Sequence, residues 1–147
     1  MVNQTTIKAN IIQHILNNEK EIKTKQQINK TINEYAENFE KQLNENYTLV
    51  NPEELLDFIY RNTKFIDFLI EIVPSIKEVY PDNELTLELS SDPEIDNYEQ
   101  VTLAPVIPKN NDTRNDLKNL EKLHNKLRPL IKQHNVFYNF IIWVNYQ

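Results

Sequence analysis

Three histidines, His14, His124 and His134, are the side chains of this sequence best suited to proton transfer or metal ligation near neutral pH. Ligands carried on one helical face stand three or four residues apart, and no two of these do. His124 falls in register with a leucine stripe, where a half-buried, satisfied ring is expected. A general base must also lie within hydrogen-bond reach of its nucleophile, so scattered imidazoles do not announce catalysis. Carboxylates are the next candidates. Asp92, Glu94 and Asp96 alternate as calcium ligands do, but a loop of the EF-hand kind needs Gly at its sixth position and Glu at its twelfth. Counted from Asp92, those positions hold Asn97 and Leu103. Glu84 and Glu88 lie four residues apart on a predicted strand, about 13 Å at ~3.3 Å per residue, too far for a hydrolytic pair.

Two absences narrow the chemistry further. Without cysteine there is no disulfide framework, no thiolate zinc site and no thiol nucleophile. Without glycine there is no phosphate-cradling loop, no dinucleotide fingerprint and no nucleophile elbow, because each needs a residue without a Cβ where the backbone turns sharply or meets a ligand. The expectation is a binding protein with no catalytic residues, no cofactor and no metal. An Asp/Glu enzyme using a divalent metal is the least favoured alternative.

Several elements must position whatever surface acts. Ile7, Ile11, Ile12, Ile15 and Leu16 recur at helical spacing over Thr6 to about Asn18. A second helix starts at Thr24, with Gln27 completing a capping box. It carries Ile28, Ile32, Tyr35, Ala36, Phe39 and Leu43 in a narrow stripe, suited to one neighbour. Asn51-Pro52-Glu53-Glu54 is a helix start, with Asn as cap and Pro at the first helical position. That helix breaks near Asn62-Thr63. The next, Lys64 to Tyr80, is the predicted core helix, interrupted near Val73 by Pro74.

After the turn Pro81-Asp82-Asn83 the period changes to two. Leu85, Leu87 and Leu89 mark a half-buried strand, and a second runs near Tyr98 to Val106. Pro105 cannot donate to a ladder, which places that second strand at a sheet edge. Asn111 or Asp112 caps a long helix with Leu117, Leu120, Leu123, Leu127, Leu130 and Ile131 on one side and a kink near Pro129. A last strand spans Asn135 to Tyr146. The fold class expected is α+β: N-terminal helices, then a helix-β-β-α-β domain with a three-stranded, mostly antiparallel sheet in order 2-1-3. Residues 1–46 form a helical N-terminal extension and 47–147 the α+β domain.

Three segments, Phe65-Ile66-Asp67-Phe68-Leu69-Ile70-Glu71, Tyr80-Pro81-Asp82-Asn83-Glu84-Leu85-Thr86-Leu87-Glu88 and Ser91-Asp92-Pro93-Glu94, together resemble a group of small proteins common in cyanobacteria and some other prokaryotes. Those proteins carry an apolar helix, a Phe/Tyr-Pro-Asp turn, an E-L-x-L-E strand and a D-P-E loop. The likeness covers roughly residues 51–108 and departs at Thr63, where the group has Pro after Asn. It implies a shared α+β domain and no particular activity.

Charge and apolar patterning indicate surfaces. The formal net charge is −6. Between Pro81 and Pro108 every charged residue is an acid, whereas basic residues dominate from Lys109 onward. Arg114, Lys118, Lys122 and Lys126 recur every fourth residue as a stripe along the long helix. A solvated helix face is the plain explanation. A nucleic-acid footprint would suit an antitoxin-like protein, but net negative charge, the acidic strands nearby and the lack of aromatics in the stripe disfavour it. In the last strand Val136, Tyr138, Phe140, Ile142 and Val144 are expected to face the core. Phe137, Ile141 and Trp143 then share the other face, either covered by the N-terminal helices or paired with a homo-oligomeric or other protein partner. The start of the chain lacks a basic n-region and an apolar h-region, and Val136 to Val144 is too short to span a bilayer. A cytoplasmic protein without membrane contact is expected.

Overall fold

The computed structural model describes residues 4–18, 25–96, 98–109 and 112–147. Among these residues six helices and five short strands follow one another as α1 (Gln4–Asn18), α2 (Lys25–Asn46), β1 (Thr48–Leu49), α3 (Pro52–Arg61), α4 (Lys64–Glu71), α5 (Val73–Val79), β2 (Leu85–Ser91), β3 (Glu99–Ile107), α6 (Thr113–His134), β4 (Phe140–Ile142) and β5 (Asn145–Tyr146). The capping residue expected at Thr24 and the alternative cap Asn111 lie outside the described residues. Asp112 caps α6, its side chain accepting from the Asn115 amide at 3.1 Å. α6 continues through Pro129. The apolar segment before the sheet divides as its prolines and polar residues require: α3 ends at Asn62, α4 runs from Lys64, and Ile72 separates α4 from α5 immediately before Val73-Pro74.

The strands form one mixed sheet in the order β1-β2-β3-β4, with β5 also on β3. Among the described residues only β2 and β3 pair antiparallel; β1 runs parallel to β2, and β4 and β5 run parallel to β3. The α+β class holds, but the three-stranded 2-1-3 arrangement does not. The last strand lies beside β3 because the far side of β2 is already taken. Thr48 and Leu49 pair there with Thr86 and Leu87, and the Val50 amide donates to Leu87 O at 3.0 Å. Asn51 prolongs that edge: its side-chain amide donates to Leu89 O at 2.8 Å and its Oδ1 accepts from the Leu89 amide at 2.9 Å. It therefore stands at the cap position of α3 without a side-chain capping bond, a second departure from expectation.

Pro105 lies inside the sheet and not at an edge. Its missing donor shows as a gap on the β4/β5 side. Val101 pairs with Phe140 and Leu103 with Ile142, and the same register resumes with Val106 on Asn145 and Ile107 on Tyr146. Trp143 donates to Leu103 O, and Gln147 to Ile107 O. The alternation of a parallel ladder then calls on residue 105 to donate to Trp143, which proline cannot do. One absent bond thus divides a single strand into β4 and β5.

The helices pack against the face of the sheet that carries its large apolar side chains. Leu85, Leu87, Val101, Leu103, Ile107 and Ile142 point into that layer and are 0–6% exposed. α3 packs on β2, α4 and α5 on α6, α1 on α3, and α2 on α4. One continuous apolar cluster includes Ile11 and Ile15 of α1, Ile32, Phe39 and Leu43 of α2, Phe65, Phe68 and Leu69 of α4, and Leu123 and Leu127 of α6. Residues of the N-terminal helices therefore share the core of the sheet domain. Leu117 departs from the leucine stripe at 59% exposure, and Asp116, 5% exposed, takes the inward position instead.

Candidate functional site

The C-terminal segment is built by a sharp stop and a short strand. Asn135 ends α6 in the left-handed region, and the Val136 amide returns to Ile131 O. The Asn139 amide then donates to Val136 O, which makes 136–139 a turn and delays the strand to Phe140. The expected alternation therefore begins five residues late. Val136 is buried, but Tyr138, expected in the core, is 73% exposed. Its ring meets that of Phe137 edge-on, centroids 5.4 Å apart, and its carbonyl accepts from the Tyr98 hydroxyl at 2.8 Å.

Phe137, Ile141 and Trp143 are all exposed, at 70%, 39% and 64%. The structure separates them. Phe137 stands on the turn, beside Arg128, Ile131 and Lys132 of α6. Ile141 and Trp143 lie on the sheet face opposite the helices, where register places them with Thr102, Glu88 and Thr86. A shallow depression of about 240 Å³ on that face is bounded by Val50, Thr86, Glu88, Thr102, Ala104 and Trp143. Its floor is satisfied internally: the Thr86 hydroxyl donates to Ala104 O at 2.9 Å, and Ser90 and Thr102 hydroxyls lie 3.1 Å apart. The depression is shallow and of mixed polarity, with Glu88 and Asn145 beside the exposed Trp143 ring. The N-terminal helices, one expected cover for these side chains, pack on the other layer.

The basic stripe is present on α6 with Arg114, Lys118 and Lys122 exposed. Lys126 bonds the Glu78 carboxylate of α5, and its ammonium holds that carboxyl below its ordinary range, with Lys122 adding to the effect. Glu121 lies among these cations in the same surface hollow. The stripe is thus partly neutralised and serves in part to fasten α6 to α5.

Spacing along the chain concealed a different grouping. Asp67 and Glu71 are one turn apart on α4, and each meets a histidine from a distant element. His14 Nε2 of α1 lies 3.3 Å from Asp67 Oδ2, and His134 Nε2 at the end of α6 lies 2.6 Å from Glu71 Oε2. Two of the three imidazoles are therefore gathered on one helix, against the expectation that they stay scattered. Both rings also pack on aromatic neighbours, His14 on Tyr35 at 5.8 Å and His134 on Phe68 at 5.7 Å. The adjoining groove between α2 and α4, about 220 Å³, is lined by Tyr35, Phe39, Asp67 and Glu71 among others. A histidine–carboxylate pair performs general-base chemistry when its second nitrogen faces a nucleophile. Here the His134–Glu71 hydrogen bond ties the foot of α6 to α4, whereas the buried His14 Nε2 lies near Asp67 without making a hydrogen bond. His124 is half-buried on α6.

Among the described residues no group of three or more His, Asp or Glu side chains is placed to hold a metal ion. Asp92 is occupied locally, accepting from the Glu94 amide at 2.9 Å. No helix among the described residues is long and apolar enough to cross a membrane. Comparison with protein-family models, with curated proteins and with solved structures finds no match.

Proposed function

We propose that this chain is a non-enzymatic interaction protein whose docking surface is the C-terminal strand: the outer edge of β4 and the Ile141–Trp143 side of the sheet. The observation that carries the reading is Trp143, 64% exposed at the rim of the sheet face opposite the packed helices. A large aromatic ring at such a position adds contact area at small entropic cost, and tryptophan is enriched where interfaces concentrate their binding energy. The edge itself supplies main-chain donors and acceptors for strand addition, a recurrent mode of protein recognition.

A photo-crosslinking residue in place of Trp143, tested in the cells that make the protein, addresses this directly. Protein adducts at position 143 should exceed those from the same probe at Leu117, which is equally exposed on α6 at 59%. Equal, background-level yields at the two positions would remove the docking surface. Nucleic-acid binding is not proposed, because Glu78 and Glu121 interrupt the α6 cations that would have to follow a phosphate backbone.

A further inference from the structure

The sheet has two edges, and they differ. At one, Pro52 follows β1 closely, a means by which sheets discourage further pairing. At the other, β4 lies within residues 135–147, a stretch that contains no Asp, Glu, Lys, Arg, His or Pro. The charged or proline residues that usually guard a free edge are missing there. The main chain is oriented for pairing. Val101 donates to Asn139 O at 2.7 Å and Trp143 to Leu103 O at 2.9 Å. Asn139, Ile141 and Trp143 therefore turn their peptide groups toward β3, which leaves those of Phe140, Ile142 and Val144 facing outward.

Building on the docking reading, we infer that the occupant of this edge is a second copy of the same chain, the two β4 strands running antiparallel about a two-fold axis at Ile142. Ile142 then meets its own counterpart, and Phe140 meets Val144, each pair exchanging main-chain hydrogen bonds. On the face opposite the helices Ile141 of either copy stands across from Trp143 of the other. That pair occupies the narrow, non-hydrogen-bonded position, with Cα atoms ~4.5 Å apart and side chains in contact. Electrostatics select self-association. A two-fold axis sets like residues beside like, so it passes most easily through an uncharged patch. Pairing through the α6 stripe would set Lys118 and Lys122 against themselves. The β4 edge brings no such repulsion.

Sedimentation velocity over a concentration series tests the inference. The mass should rise from 17.5 kDa toward twice that value. In step, emission from Trp143, the one tryptophan of the chain, should shift to the blue and resist acrylamide quenching. The double variant Ile141→Lys/Trp143→Lys changes two exposed side chains. It should sediment at the monomer mass throughout, with unaltered circular dichroism and a thermal midpoint independent of protein concentration, whereas the wild-type midpoint should rise with concentration. Mixing Ile141→Cys with Trp143→Cys should give a disulfide-linked dimer faster than either variant alone, because the register sets those positions opposite. A wild-type protein that stays at 17.5 kDa at every concentration overturns the inference, as does a dimer that survives the double lysine variant. The docking reading fails separately: a monomer that still crosslinks a different protein at position 143 loses only the second copy, whereas a monomer with no adduct loses both.

Discussion

Asn135, at φ 55°, is the one residue of positive φ among those described, and it ends α6 by offering its amide to Ile131 and Lys132 carbonyls. Chains usually place glycine there, and in a sequence without glycine asparagine is the least strained substitute. Asn135→Ala should therefore lower unfolding free energy by about 1 kcal/mol in a denaturant titration, whereas Asn135→Gly should equal or exceed the wild type. Phenols offer a second residue-scale test. Tyr47 is buried, its hydroxyl donating to Leu69 O at 2.6 Å, and burial raises its pKa far above the ordinary value. Tyr60 is raised chiefly by burial, with Glu40 adding, and Tyr80 is pushed up to about 12 by burial and then by the charge of Asp116. A folded pKa above the unfolded value of about 10 means stability fully present below pH ~10 and lost as pH climbs through the folded values. Midpoints of thermal unfolding should hold steady to about pH 10 and fall progressively toward pH 12. Tyr47→Phe should flatten part of that fall.

At the scale of elements, punctuation was legible and pairing was not. Pro74, Asn62 and Asp112 reveal helix limits because a missing amide or a competing side chain acts within one turn. β1 could not be seen: two residues have no periodicity, and the Asn51 side chain that lengthens the edge reads in sequence only as a cap. Without β1 the vacant side of β2 seemed open to the last strand, so an order of 2-1-3 followed naturally and wrongly. Pro105 was read rightly as a ladder defect and placed wrongly at an edge, since a break can equally fall on the neighbouring strand. Pro105→Val restores the donor facing Trp143. It should join β4 to β5, adding amide-exchange protection at Asn145 and at the amide introduced at position 105, and raising stability by roughly 0.5–1.5 kcal/mol, the worth of one hydrogen bond.

The whole molecule is held by one core, and Phe68 lies near its centre. It is fully buried and meets Phe140 edge-on at 4.8 Å, Phe65 at 6.2 Å and the His134 ring at 5.7 Å, so it joins α4 to the C-terminal strand and to α6. Phe68→Ala should cost ~3–5 kcal/mol by chemical denaturation, a large part of a typical domain's stability. The same change should loosen β4 and with it the proposed docking surface. Sequence alone marked Phe137, Ile141 and Trp143 as unmatched apolar residues, and all three are exposed, because such a pattern needs no tertiary knowledge to be noticed. It could not find the pairs His14–Asp67 and His134–Glu71, which exist only once α1 and α6 converge on α4.

The mixed pairing of the sheet also carries a kinetic consequence. Leu85 to Ile107 closes locally as a hairpin, whereas joining Thr48 to Thr86, or Val101 to Phe140, must first gather long intervening stretches of chain. Loop-closure entropy makes the hairpin the natural nucleus and leaves both outer strands to arrive after the rate-limiting barrier. Substitutions at Leu87 or Leu103 should slow refolding, and those at Ile142 should chiefly hasten unfolding, a division that a chevron analysis would display.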